Sequence, residues 1–273
     1  MQKIGYLGPE GTFSQQAAQR YAQGKGTLVA GPTIKDVLKQ VQAGTLDLAV
    51  IPMENSLEGA VNQSLDILAW EVDLNIQGEL TLPVKHNLIV NKGDDWRQLH
   101  TIYTHPQAGG QCRKFLETEL PAARIQFTYS TAEGAHIAKQ NNIGFGAIAP
   151  AQAAELFGLQ VAVSNIQDAD NNCTRFAAVG KGAAKPSGKD KTSIIFSTDH
   201  KPGSLYRVLD IFSLWDINMT KIESRPAREQ LGSYIFFVDI EGHVDNLDVA
   251  DALTMVRRKT TFFKFLGSYP SEK

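Results

Sequence analysis

Leu46-Asp47-Leu48-Ala49-Val50-Ile51-Pro52-Met53-Glu54-Asn55-Ser56-Leu57-Glu58-Gly59 decides the fold class. Its first half is an apolar run of strand length closed by Pro52, and its second half is a polar loop. Upstream, Ile34, Val37, Leu38 and Val41 recur at i, i+3, i+4 and i+7, which predicts an amphipathic helix capped by Thr33 and ended by Gly44. A second helix is expected from about Val61 to Trp70. Helix, buried strand, polar loop, helix is α/β order, and open α/β sheets place ligands at the C-terminal ends of such strands. Asn55 and Ser56 either meet a ligand there or cap the next helix, leaving Glu54 and Glu58 solvated.

The same order recurs on both sides. Ile4 to Leu7 runs into the turn Gly8-Pro9-Glu10-Gly11-Thr12 and a helix from Phe13-Ser14. The turn lacks the Gly-Lys-Ser/Thr ending of a P-loop, so it either receives an anion or is only a tight βα connection. Leu74 to Leu80 and Val84 to Val90 read as strands, the second crossing into another lobe. His86 within it reads as packed or hydrogen-bonded rather than catalytic. Ile102-Tyr103 leads into Thr104-His105-Pro106-Gln107 and a helix holding Gln111 and Cys112, with Thr104 or His105 as its cap. Cys112 reads as a small core hydrophobe. Ile125 to Tyr129 and Ile143 to Ile148 are further strands, with a helix after Ser130 and another from Ala151 to Phe157. The expectation is a bilobed, periplasmic-binding-protein-like α/β body with a cleft. It spans 1–181, with lobes of about 1–80 plus 160–181 and of 81–159.

Gly182 to Lys191 has linker composition. Beyond it Thr192 to Ser197 is a strand, and Pro202-Gly203 opens a helix with Leu205, Val208, Leu209 and Phe212 on one face. Asn218 to Ser224 and Ser233 to Ile240 are strands, split by Pro226 and Gly232. Val244, Leu247 and Val256 mark a second helix, and Phe262 to Tyr269 a last strand. This β-α-β-β-α-β order over 192–273 is ferredoxin-like. By analogy of fold, the free face of such a sheet is expected to pair, as in a regulatory or dimerising module.

The chain has 273 residues, 27 basic against 29 acidic, and two cysteines. No basic stripe points to nucleic acid, no apolar run is long enough for a membrane span, and no spacing points to a metal. Two cysteines, Cys112 and Cys173, and a start without a signal-peptide core fit a cytoplasmic location. The densest polar stretch is Asn171-Asn172-Cys173-Thr174-Arg175-Phe176, which joins amides, a hydroxyl and a guanidinium but holds no His or Glu. If it does chemistry, a hydroxyl and an Arg must do it.

These stretches resemble the prephenate dehydratase family over nearly the whole chain. Tyr6 to Ser14 is similar to the family's opening motif, and Pro52 to Ser56 with Glu58-Gly59 to its second. Thr104 to Ala108 with Gln111-Cys112 resembles the third, and Asn172 to Phe176 the last. Thr104 stands where Ser is usual, Gly134 and Ser204 where Ala is usual. The tail resembles an ACT domain of the phenylalanine-responsive kind, with Pro202-Gly203-Ser204-Leu205 and Glu223-Ser224-Arg225-Pro226 at its effector motifs.

The resemblance implies decarboxylative dehydration of prephenate to phenylpyruvate, without cofactor or metal. It implies that Thr174 assists departure of the hydroxyl, and that Asn55, Gln111, Thr104 and, less directly, Glu54 hold substrate. Arg175 is the expected carboxylate partner, or else part of a structural ion pair; Ser56 is expected to line the pocket, and Phe176 either lines it or belongs to the core. Asn55, Thr104 and Gln111 should converge on Thr174. L-phenylalanine is expected near Pro202, Gly203, Ser204, Leu205 and Asn218 at a subunit interface of a homodimer or homotetramer, as a feedback inhibitor acting through the linker. Deleting residues after Lys185 should abolish inhibition and spare catalysis. The absence of a chorismate mutase segment before Met1 implies that another chain supplies prephenate. Arogenate dehydratase and a non-catalytic sensor of aromatic acids are the alternatives.

Overall fold

In chain order, β1 (Lys3–Leu7), α1 (Phe13–Ala22), β2 (Thr27–Gly31), α2 (Ile34–Ala43), β3 (Leu48–Asn55), β4 (Gly59–Ala60), α3 (Asn62–Trp70) and β5 (Asn75–Pro83) build the first lobe. The second lobe follows with β6 (Asn87–Val90), β7 (Thr101–Thr104), α4 (Pro106–Gln111), α5 (Arg113–Glu119), β8 (Arg124–Phe127), α6 (Thr131–Gln140), β9 (Phe145–Ala149), α7 (Ala151–Phe157) and β10 (Gln160–Val163). The chain then returns through β11 (Cys173–Gly180) and ends in β12 (Asp190–Ser197), α8 (Ser204–Leu214), β13 (Met219–Pro226), β14 (Tyr234–Glu241), α9 (Leu247–Lys259) and β15 (Phe262–Pro270). This computed structural model describes residues 1–141, 143–227 and 234–272, so the expected Gly232 break and Ser233 strand start lie outside the described residues.

Helix α2 forms as its sequence dictates. Thr33 accepts a hydrogen bond from Asp36 N, Gly44 ends the helix at φ 81°, and Ile34, Val37, Leu38 and Val41 are its buried face. Three sheets result, ordered β2-β1-β3-β11-β5 (with β4 on β3), β10-β6-β9-β7-β8, and β13-β14-β12-β15. The first two make a bilobed α/β body and the third a ferredoxin-like tail.

Three expectations change. Strand β3 does not stop at Pro52 but runs to Asn55. Its pairing with β11 slips by one residue there: Ile51 lies opposite Ala177 and Pro52 opposite Phe176, but Glu54 lies opposite Arg175 and Asn55 opposite Thr174. Pro52, which has no N–H to donate, falls at this bulge, and Met53 is the extra residue. The bulge also sets which way each following side chain points. Second, β10 pairs antiparallel with β6, so the second lobe includes residues 160–163.

Third, the tail's sheet face is not free. Helices α8 and α9 cover one face, where Ile194, Phe196, Val208, Phe212, Val238 and Val256 pack. The other face contributes Ile195, Ile235, Phe237, Leu266 and Tyr269 to the same core as Val37, Leu68, Ile76 and Val179 of the first lobe. The linker is likewise anchored: the Asp190 carboxylate accepts from Ser187 N, Ser187 Oγ and Gly188 N, and Gln77 Nε2 donates to Gly182 O.

Candidate active site

Asn55 is the organising residue. Its Oδ1 accepts from Leu57 N at 3.0 Å and Glu58 N at 3.1 Å, which fixes the amide's orientation. Its Nδ2 therefore points the other way, donating to Thr174 Oγ1 at 2.9 Å, Asn172 Oδ1 at 2.8 Å and Cys173 O at 3.2 Å. Thr174 Oγ1 thus accepts from an amide, and its own hydrogen stays available to a ligand. An N–H pointed at that oxygen also stabilises the negative charge that grows there when the proton leaves.

The chain of bonds continues across the cleft. Asn172 Nδ2 donates to Gln111 Oε1 at 2.8 Å, and the same oxygen lies 3.0 Å from His86 Nε2. Because Gln111 Oε1 is the acceptor, His86 must carry its proton on Nε2. His86 is buried, burial pushes its pKa down, and its Nδ1 is buried without a partner. Gln111 Nε2 reaches Glu58 Oε1 at 3.4 Å. Ser56 Oγ accepts from Cys173 N at 3.0 Å and donates to Asn171 O at 3.3 Å, tying the loop after β3 to the start of β11.

Of the expected residues, Asn55 touches Thr174 directly, Gln111 is linked to it through Asn172 and then Asn55, and Ser56 braces the backbone beside it. Thr104 does not join them. It is fully buried, and its hydroxyl donates to Ile148 O at 3.1 Å within the second lobe's sheet. His105, not Thr104, caps α4, accepting from Gln107 N. Phe176 is 1% exposed and packs with Tyr6, Leu80 and Leu82, so it is core rather than pocket wall. Cys112 is buried, and burial first, then Asp168, push its thiol up to about 12.

Arg175 and Glu54 turn away from the cluster. Alternation on β11 puts Thr174 and Phe176 toward α1 and Arg175 toward the tail. Arg175 Nη1 lies 3.2 Å from Glu79 Oε2 and 3.1 Å from Asp239 Oδ2, and Nη2 lies 3.5 Å from Glu54 Oε2. Lys221 Nζ holds Glu54 at 2.6 Å, and Lys191 Nζ holds Glu79 at 2.8 Å. Burial would raise the Glu54 carboxyl, but Lys221 and Arg175 outweigh it and lower its pKa. The structural ion pair is thus the reading of Arg175 that this geometry carries.

Asn172 is the residue of this cluster that sequence reasoning did not single out, whereas His86, read as packed or hydrogen-bonded, is both. Asn172 stood inside the quoted motif beside Thr174, which was its signal. The partner of His86 could not be read from the sequence, since Gln111 lies 25 residues away. In the tail, Gly203 precedes α8 at φ 78°, Leu205 packs into the module's core, and Ser204 and Leu205 border a cavity of about 130 Å³ with Tyr234 and Phe236. Pro202 and Asn218 are exposed. A larger cavity of about 820 Å³ lies between the turn Leu7–Thr12 and α6, and neither Thr174 nor Asn55 lines it. Among the described residues no group of three His, Cys, Asp or Glu side chains is placed to hold a metal, and no helix is long and apolar enough to cross a membrane.

Comparison with known proteins matches this architecture. The family model for prephenate dehydratase covers residues 4–184, and that for the ACT domain residues 192–254. The bifunctional chorismate mutase/prephenate dehydratase of Aquifex aeolicus is 40% identical over 268 residues, 98% of this chain and 73% of that protein. The crystal structure of an Arthrobacter aurescens prephenate dehydratase in complex with L-Phe has TM-score 0.91 and 33% identity, covering 98% of this chain and 90% of that one. The structure of GqqA, described as a novel type of quorum-quenching acylase, has TM-score 0.89 and 29% identity, covering 99% and 98%. With the dehydratase model spanning the whole bilobed body, the chain belongs to the prephenate dehydratase family and carries an ACT domain behind it.

Proposed function

We propose that the chain converts prephenate to phenylpyruvate, carbon dioxide and water, with Thr174 assisting departure of the ring hydroxyl. The observation that carries this reading is the fixed Asn55 amide donating to Thr174 Oγ1, which leaves the hydroxyl hydrogen for a ligand. The ring carboxylate leaves as carbon dioxide, and the electrons of its carbon–carbon bond complete the aromatic ring. The carbon–oxygen bond breaks, and the departing oxygen takes the Thr174 proton, which solvent then restores. Aromatisation drives the step, so the chain must supply a proton and a held pose. A positioned acid contributes about 10²–10⁴-fold.

With Arg175 turned to the tail, polar donors of the cleft rather than that guanidinium hold the substrate, Gln111 Nε2 foremost. Amide hydrolysis fits this site less well. A hydroxyl nucleophile needs a base to take its proton, and Thr174 Oγ1 has an amide donor as its partner.

L-phenylalanine is the proposed inhibitor, binding the ACT domain near Pro202, Gly203, Ser204, Leu205 and Asn218. The bound L-Phe of the Arthrobacter relative supports this. A homo-oligomer and a cytoplasmic location complete the proposal, two free cysteines supporting the latter. The test is turnover of prephenate against arogenate by the full chain. Preference for prephenate supports the reading, preference for arogenate moves the substrate by one amino group, and binding without turnover makes the protein a sensor.

A further inference from the structure

Where the bilobed body meets the ACT domain, six charged side chains form one network with three of each sign. Arg175, Glu79 and Glu54 come from β11, β5 and β3 of the body, and Lys191, Lys221 and Asp239 from β12, β13 and β14 of the tail. Arg175 is its centre and the one member that touches three carboxylates. Its side chain is 15% exposed, that of Glu79 3% and that of Asp239 10%. Beyond Asp239 the bonds continue into the tail: Ser193 Oγ donates to Asp239 Oδ1 at 2.5 Å and lies 2.7 Å from Tyr269 OH.

On the body side the network ends one residue from the chemistry. Arg175 opposite Glu54 and Thr174 opposite Asn55 are consecutive rungs of the β11–β3 ladder. The two rungs are joined by backbone alone, so a displacement of one displaces the other. The charges balance, and neutralising any one member leaves the cluster with a net charge. Such a joint holds one arrangement firmly or changes to another, rather than yielding by degrees.

We propose that Arg175 is a positioning residue: its grip on Asp239 sets the place of β11, and so of Thr174, according to the state of the ACT domain. This rests on the reading of Thr174 as the group that assists hydroxyl departure. A guanidinium suits the task where an ammonium would not, because its planar fork reaches Glu79, Asp239 and Glu54 from fixed directions.

The full-length chain is tested as Arg175→Lys, Asp239→Asn and the double variant, with Lys264→Met as a control. Lys264 also joins tail to body but lies outside the network. Each single variant is expected to lower kcat by about ten-fold or more, as sub-ångström misplacement of a catalytic group does, with KM little changed. The double variant should lose no more than the worse single one, and the phenylalanine concentration for half-inhibition should rise in all three. Lys264→Met should lower Tm and leave kcat unchanged. The proposal is overturned if the network variants lower only Tm, or if the two losses multiply.

A second readout does not need turnover: in threonine-methyl-labelled protein the Thr174 resonance should move in Asp239→Asn and stay in Lys264→Met. A Thr174 resonance indifferent to Asp239→Asn overturns the joint. A wild type that turns over no prephenate, while that resonance does move, overturns the reading of the reaction and leaves the joint standing.

Discussion

Thr174 and Arg175 are adjacent on β11 and serve opposite faces of one sheet. Thr174 Oγ1 lies 2.9 Å from Asn55 Nδ2 in the cleft cluster, and Arg175 Nη1 lies 3.1 Å from Asp239 Oδ2 in the ACT domain. The period-2 geometry of a strand forces this division. Placing the hydroxyl toward the cleft commits its neighbour to the domain junction. The consequences can be measured one at a time.

Asn55→Asp keeps the shape and reverses the polarity. The new carboxylate would face Asn172 Oδ1 and Cys173 O, and would draw the Thr174 hydrogen to itself instead of to substrate. Loss of one such donor lowers kcat by about 10²–10³-fold. Steady-state kinetics check this, and full activity in the variant would remove Asn55 from the site.

Ending the chain after Lys185 should not leave a working, merely deregulated enzyme, contrary to the expectation from the sequence. Ile195, Ile235, Phe237, Leu266 and Tyr269 complete a core shared with the first lobe. At about 1.5–3 kcal/mol for each large apolar side chain, their loss removes on the order of 8–15 kcal/mol, comparable with the whole stability of a typical domain. The truncated chain is expected to aggregate or to melt without cooperativity. A sharp thermal transition near that of the full chain would contradict the shared core.

Lys264 anchors the ACT domain to α3. Its Nζ donates to Leu68 O at 2.8 Å and Val72 O at 2.6 Å, carbonyls at and just beyond the C-terminal turn of that helix. Burial lowers its pKa, opposed by Asp73. Lys264→Met keeps the aliphatic stem and removes the cation, which should cost about 1.5–3 kcal/mol, or roughly 3–12 °C in Tm. Calorimetry on variant and wild type checks it.

His86 makes stability pH-dependent in a defined direction. Its folded pKa lies below the ordinary value of 6.5 because burial disfavours the imidazolium. Between the folded and unfolded values the unfolded chain binds more protons, so stability is intact above about pH 6.5 and falls as pH drops toward the folded value. His105, also lowered by burial, adds in the same direction. His86→Gln keeps an N–H for Gln111 and removes the titration. Its thermal stability should therefore fall less than that of the wild type between about pH 6.5 and 5, and parallel profiles would contradict the assignment.

Much of this was legible in the residues. The period of Ile34, Val37, Leu38 and Val41 gave α2 and its buried face, and β-α-β-β-α-β order gave the tail. Asn55 and Thr174 were legible as site residues because amide, hydroxyl and turn chemistry concentrate around them. The direction of Glu54 was not, because it depends on the one-residue slip at Pro52, and the partners of Arg175 were not, because alternation on β11 does not state that the tail covers that face. That slip exists only when β3 is paired with β11, more than 100 residues away. Thr104 was misplaced for a similar reason. A hydroxyl at a strand end looks available until Ile148 O of the neighbouring chain segment claims it. The tail's covered face was also hidden, since an apolar strand face does not state what it packs against.

The most direct test is Thr174→Val with Thr174→Ser beside it, each assayed for phenylpyruvate formation from prephenate at equal folded concentration. Valine keeps the shape without the hydroxyl, and serine keeps the hydroxyl without the methyl. The account predicts a fall in kcat of about 10²–10⁴-fold for Thr174→Val and substantial rescue in Thr174→Ser. Undiminished turnover in Thr174→Val would contradict it.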